Sequence, residues 1–205
     1  MEIKAADVKA LRDATGAGMM DAKKALQDAG GDKEKAKDLL RERGLAGAKK
    51  LATRGADEGL VEAYLHAPDP QLPAKVGVLV ELNCATDFVA KTERFRNLAR
   101  EVALQISATR PDYVSREEVP GDVLEREKEI YRKQAESEGK PADKVDMILE
   151  GRLKKFYEQV CLVDQAWIKD EKGKKTIGEL LDEASSELKE PVRVRRFAYF
   201  RVGVD

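Results

Sequence analysis

Cysteine is nearly absent from this chain: Cys84 and Cys161 are the only two in 205 residues. Two thiols are too few for the disulfide framework of a small secreted domain. Histidine is scarcer still. His66 stands alone, which excludes a multi-histidine metal site and leaves a Cys–His dyad only if the fold brings Cys84 or Cys161 beside it. Aromatic residues make up 5%, which argues against a base-stacking platform for single-stranded nucleic acid. A net charge of −1 gives no global attraction to nucleic acid or to an anionic membrane, and neither is expected as a partner. Signal-peptide patterning and long apolar runs are also missing, so a cytoplasmic location is expected. There is no glycine-rich loop ending in Gly-Lys-Ser/Thr, and Gly16-Ala17-Gly18 lacks the preceding strand of a dinucleotide fingerprint. No cofactor and no metal is expected. Covalent catalysis finds no support.

What is present is charge and aliphatic periodicity. Charged residues reach 38% and hydrophobic residues 42%, the balance of a globular protein with heavily charged helical surfaces. The first 45 residues read as three helices. Val8, Leu11 and Arg12 share one stripe, and Thr15-Gly16 stops that helix. Ala22, Ala25, Leu26 and Ala29 line a second helix, and Gly30-Gly31 breaks it. Asp32 caps a third helix that buries Ala36, Leu39 and Leu40 and closes at Arg41-Glu42-Arg43-Gly44. Residues 46–58, rich in Ala, Gly and Lys, read as a linker with some helical character.

A strand over 59–66 and another over 76–82 form an antiparallel pair across Pro68, Pro70 and Pro73. The second strand is apolar enough to be buried on both faces. Phe95, Leu98, Ala99, Val102 and Ile106 follow at helical spacing, and Pro111 ends that helix. Residues 111–159 are the most charged portion. Two sparse apolar stripes flank Gly139-Lys140-Pro141, the pattern of a projecting antiparallel helical hairpin with a narrow coiled-coil seam. From 160 the chain returns to the body. Thr176 and Glu179 have capping-box spacing, and an alternating strand follows Pro191. On that strand Val192, Val194, Ala198, Phe200 and Val202 share one face, opposite Phe197 and Tyr199. The expected architecture is α+β: residues 1–45, a linker over 46–58, a core of 59–110 and 160–205, and an arm of 111–159.

One junction carries the sharpest chemical interest. The strand over 76–82 runs into Thr86-Asp87-Phe88 at a helix start, where Thr86 or Asp87 can cap. Phe88 then sits at a rim, either folded inward as a hydrophobic staple or projecting toward another protein. Met19 and Met20 pose the same choice, because adjacent helical side chains diverge by about 100° and both cannot point inward. Cys84 reads as a small buried filler and His66 as a polar strand-end residue.

These motifs resemble a known family. Thr15-Gly16-Ala17-Gly18-Met19-Met20-Asp21-Ala22-Lys23-Lys24-Ala25-Leu26 looks like the first signature of the bacterial elongation factor Ts family. Glu81-Leu82-Asn83-Cys84-Ala85-Thr86-Asp87-Phe88-Val89-Ala90-Lys91 is similar to its second. Gly139-Lys140-Pro141 and Arg193-Val194-Arg195-Arg196-Phe197 fit its arm and its closing strand. The resemblance spans nearly the whole chain in order, while Ala166-Trp167 departs from an expected Pro-Phe.

It implies a non-enzymatic guanine nucleotide exchange factor that binds elongation factor Tu·GDP and promotes GDP release. The three-helix unit would be ubiquitin-associated-like, with Arg12, Met19 and Met20 in the contact. Thr86, Asp87 and Phe88 would insert near the partner's nucleotide site. Longer members carry a second copy of the sheet-containing body. This chain resembles the short members, and the missing second copy suggests self-association through the exposed sheet, giving a symmetric dimer with two Tu partners; Phe197 and Tyr199 are interface candidates or simply core. The alternative is a ribosome-associated or chaperone-like adaptor without exchange activity.

Overall fold

The computed structural model describes residues 3–15, 17–51, 55–69 and 71–203, and omits the side chains of 44–51, 142 and 143. Gly16 and Pro70, both used in the sequence reading, lie outside the described residues. The fold is α+β, with eight α-helices and one three-stranded antiparallel sheet among those residues. The chain divides into two compact units. One comprises Met1–Gly59, Asn83–Ala90 and Leu181–Arg193; the other comprises Leu60–Leu82, Lys91–Leu180 and Val194–Asp205.

In the first unit, α1 (Ala5–Thr15), α2 (Met19–Asp28) and α3 (Lys33–Leu51) pack on one another. Val8, Leu11, Ala22, Ala25, Leu26 and Ala36 form the core between them. Three of these six are alanines, so the helices approach closely and the unit depends on few large side chains. Gly30 and Gly31 take φ of 62° and 89°, a left-handed turn that side chains resist. Asp32 then starts α3, its Oδ1 accepting from the backbone N–H groups of Glu34 and Lys35 at 3.0 and 3.1 Å. Helix α3 does not close at Gly44. It runs to Leu51, into the segment expected to be a linker, because Ala46 and Ala48 are strong helix formers and Gly44 takes no left-handed cap.

Strands β1 (Glu58–His66), β2 (Val76–Cys84) and β3 (Arg193–Arg201) lie in that order. Val78, Val80, Leu82 and Cys84 are buried along one side of β2. The other side is open, contrary to the two-sided burial expected from its apolar run: Leu79 is 46% exposed. A three-stranded antiparallel sheet has one covered face, and an apolar residue on the other face stays outside. Neighbouring contacts trace that open face. Leu65 lies 3.4 Å from where a Gly77 Cβ would stand, and Arg196 donates to Glu81 at 2.7 Å. Period-two alternation therefore puts exposed Val61, Leu65, Leu79 and Phe200 on one side. Phe200 and Val202 are exposed, and Phe197 and Tyr199 are half-buried. Alternation gave the two faces of β3, but which face looks inward depends on where the helices pack.

The helix after β2 is interrupted. A short α4 (Asp87–Ala90) gives way to α5 (Glu93–Thr109), which restarts at Thr92, whose Oγ1 accepts from Phe95 N–H at 3.2 Å. Helix α5 buries Phe95, Leu98, Ala99, Val102 and Ile106, and Arg100 ties it to Glu62 of β1 at 3.3 Å. The charged portion forms α6 (Gly121–Ser137) and α7 (Ala142–Val160), which pack on one another across a turn with Gly139 at φ 67°. Of α6, Ala135 alone is fully buried, and Arg152 donates to Gln134 and Glu138 at 2.7 and 2.8 Å. The larger side chains Val119, Phe156, Tyr113, Leu124 and Tyr157 gather around Cys161. Helix α8 (Ile177–Leu188) opens with a reciprocal capping box: Thr176 Oγ1 accepts from Glu179 N–H, and Glu179 accepts from Thr176 N–H, both at 3.1 Å.

Candidate partner-binding site

Strand β2 ends at Cys84, and the backbone turns through Ala85 and Thr86 before α4 begins at Asp87. Thr86 caps this turn in two ways. Its carbonyl accepts from Ala90 N–H at 3.3 Å and from the Cys84 thiol at 3.1 Å. Its hydroxyl oxygen also faces Val89 N–H at 3.5 Å. The short helix that results carries Phe88 outward. The ring is 80% exposed, so it is no staple, while Thr86, Asp87 and Val89 around it are half-buried. The ring thus stands in solvent as apolar surface, carried by residues that are themselves held.

A residue far away in sequence holds the turn, and sequence reading gave no notice of it. Glu190 Oε2 accepts from the backbone N–H groups of Ala85 and Thr86 at 3.1 and 3.0 Å, and Oε1 accepts from the Thr86 hydroxyl at 2.7 Å. The available clue was faint: an acidic side chain just past the C-terminus of α8, where the helix dipole favours a cation.

Arg12, Met19 and Met20 are exposed around the α1–α2 junction, with Met20 at 73%. The diverging pair therefore places neither side chain in the core. Gly18 precedes α2 with no side-chain cap, and a Cβ there would come within 2.9 Å of Asp21 Oδ2.

The sheet offers a second exposed apolar surface. A pocket of about 500 Å³ at its edge is lined by Leu65, Gly77, Phe200 and Val202, with Lys75 and Arg110 at its rim. The Arg110 guanidinium lies 5.6 Å over the Tyr199 ring, so that aromatic is engaged within its own unit.

His66 is exposed, and its Nδ1 lies 3.3 Å from the Tyr64 hydroxyl. Both cysteines are buried and free. Burial pushes the Cys84 thiol up, and pushes Cys161 up to about 11, with Asp164 adding to the effect. Neither is a thiolate near neutral pH. Among the described residues, no group of three His, Cys, Asp or Glu side chains could hold a metal ion, and no helix is long and apolar enough to cross a membrane.

The sequence profile of the family described as Elongation factor TS matches residues 20–204. This chain belongs to the elongation factor Ts family. It is 55% identical over 201 residues to Elongation factor Ts of Caldanaerobacter subterraneus subsp. tengcongensis, covering 98% of this chain and 97% of that protein. Elongation factor Ts of Moorella thermoacetica is 54% identical over 201 residues, covering 98% and 96%. Elongation factor Ts of Coprothermobacter proteolyticus is 52% identical over 203 residues, covering 99% and 100%.

Proposed function

We propose that this chain is a guanine nucleotide exchange factor that binds elongation factor Tu·GDP in the cytoplasm and promotes GDP release. It does so by contact alone, with no covalent step and no cofactor of its own. The exposed ring of Phe88 carries the proposal, supported by family membership. Residues 1–45 act as a ubiquitin-associated-like domain that docks through Arg12, Met19 and Met20. Residues 46–58 link it to a core of 59–110 and 160–205, and 111–159 serve as a coiled-coil arm. Thr86, Asp87 and Phe88 enter the partner between helices near its nucleotide. There the ring displaces local structure and loosens the contacts to the GDP phosphates and their magnesium.

Magnitudes require more than the ring. A thousandfold acceleration of release needs a barrier change of about 4 kcal/mol. Burying one phenylalanine supplies about 1.5–3 kcal/mol. The docking residues and the Asp87 region must provide the remainder. By linkage, whatever binding the factor loses when GDP is present, GDP loses when the factor is present.

Self-association belongs to the same reading. Val61, Leu65, Leu79 and Phe200 make the open sheet face a surface for a second copy, giving a symmetric dimer and a two-plus-two complex with Tu. Phe200 replaces Phe197 and Tyr199 as the aromatic offered to that contact, because those two are half-buried.

Stopped-flow release of fluorescent GDP from purified Tu tests the function directly. The chain should raise the release rate in a saturable manner. Binding to Tu without faster release would favour the adaptor reading instead.

A further inference from the structure

The exchange proposal makes Phe88 the working group but leaves open what keeps it in place. Phe88 sits on a helix of four residues, too short to be stable by its own hydrogen bonds. Thr86 caps its start locally, and the turn before it is also held from outside. Three hydrogen bonds do this, and all end on one carboxylate: the backbone N–H groups of Ala85 and Thr86 and the Thr86 hydroxyl converge on Glu190. They bind the two residues immediately before α4, where the direction of the helix is set.

The carboxylate is itself held. Lys189 adopts φ 60°, a left-handed conformation that a lysine takes only at a cost, and it turns the chain sharply at the end of α8. Beyond it, Val192 N–H donates to the buried Ser185 Oγ at 2.9 Å, and that hydroxyl donates to Leu181 carbonyl at 2.9 Å. Glu190 therefore projects from a segment fixed on both sides. From there its side chain reaches a segment more than a hundred residues away in sequence. A helix end is a poor site for an anion, which sharpens the contrast between its local cost and its use at the Thr86 turn.

We infer that Glu190 is the positioning residue of the exchange motif: its carboxylate holds the Ala85–Thr86 turn so that α4 presents Phe88 outward. This rests on the exchange reading above. Glu190 needs no contact with the partner; it acts through the backbone that carries the ring.

The test is GDP release from Tu, measured over a series of factor concentrations for Glu190→Ala, Phe88→Ala and the double variant. Glu190→Ala should lower the maximal rate about tenfold while leaving the half-saturating concentration nearly unchanged, since Arg12, Met19 and Met20 are untouched. The double variant should be no slower than Phe88→Ala alone, because a mispointed ring and a missing ring cost the same thing. Glu190→Gln should recover most of the rate, since its amide oxygen can accept from both backbone N–H groups and its NH₂ can donate to the Thr86 hydroxyl. Should Glu190→Ala fold poorly, Thr86→Val removes one of the three bonds and should produce a smaller loss of the same kind. Equal loss from Glu190→Ala with and without Phe88 would overturn the inference and make Glu190 a general stabiliser. So would failure of Gln to rescue, or a loss confined to half-saturation. If Phe88→Ala itself releases GDP at the parent rate, the ring has no part in exchange and this inference goes with it; if the parent chain does not accelerate release at all, the exchange reading itself fails.

Discussion

Leu79 offers the cleanest test of the open sheet face. It occupies the central strand, on the side shared with Val61, Leu65 and Phe200, and nearly half of its surface meets solvent. Replacement by lysine should therefore cost the isolated fold little, since an exposed substitution usually moves stability by less than about 0.5 kcal/mol. In a symmetric dimer the same position is used twice. Burying the exposed part of one leucine is worth about 1 kcal/mol, so losing both removes about 2 kcal/mol. That corresponds to roughly a thirtyfold weaker dimer, and the lysine charges brought to one interface add to it. Sedimentation velocity over a concentration series reads the dimer constant, and far-ultraviolet circular dichroism checks that the fold is kept. A parent chain that sediments as a monomer at every concentration would refute the reasoning, as would a Leu79→Lys dimer as tight as the parent.

Leu11→Ala should destabilise the first unit by about 2–5 kcal/mol in urea unfolding, because a core rich in alanine has little to close the cavity with. Thr92→Ala removes the acceptor for Phe95 N–H and should cost about 1 kcal/mol of stability in the same assay. Cys161 should resist a thiol reagent at pH 8 in the folded chain and react promptly once unfolded, since burial holds its pKa near 11 rather than 9.0. Its raised pKa favours the neutral thiol in the fold. Its contribution to stability should be complete below about pH 9 and decline as pH rises toward about 11, measurable against a Cys161→Ala control.

Local chemistry was legible wherever a few neighbouring residues decide the outcome. Gly30-Gly31, Asp32 and the Thr176–Glu179 pair each specify a turn or a cap within one or two turns of chain, and each does so in the structure. The apolar spacing of Phe95 to Ile106 likewise marked a buried helix face. Sidedness was harder. Leu79 reads as core because its neighbours are apolar, yet burial depends on what covers the sheet, and nothing in the local pattern records that. Gly44 reads as a stop, but a glycine ends a helix only by turning left-handed, and the alanines beyond it keep the helix favourable. The contact of Glu190 with the Thr86 turn was beyond reach, since it joins segments 104 residues apart through a single carboxylate. The local pattern left Phe88, Met19 and Met20 open between packing and projecting, and their exposure follows from the fold. The carboxylate at the Thr86 turn left no mark in the pattern at all.

The most direct measurement of the central claim is the maximal rate of GDP release from elongation factor Tu with Phe88→Ala. Loss of one phenylalanine's burial predicts a rate roughly 10- to 150-fold lower, with binding to Tu retained through Arg12, Met19 and Met20. A variant that releases GDP as fast as the parent would contradict the account, because the outward ring would then have no part in loosening the nucleotide.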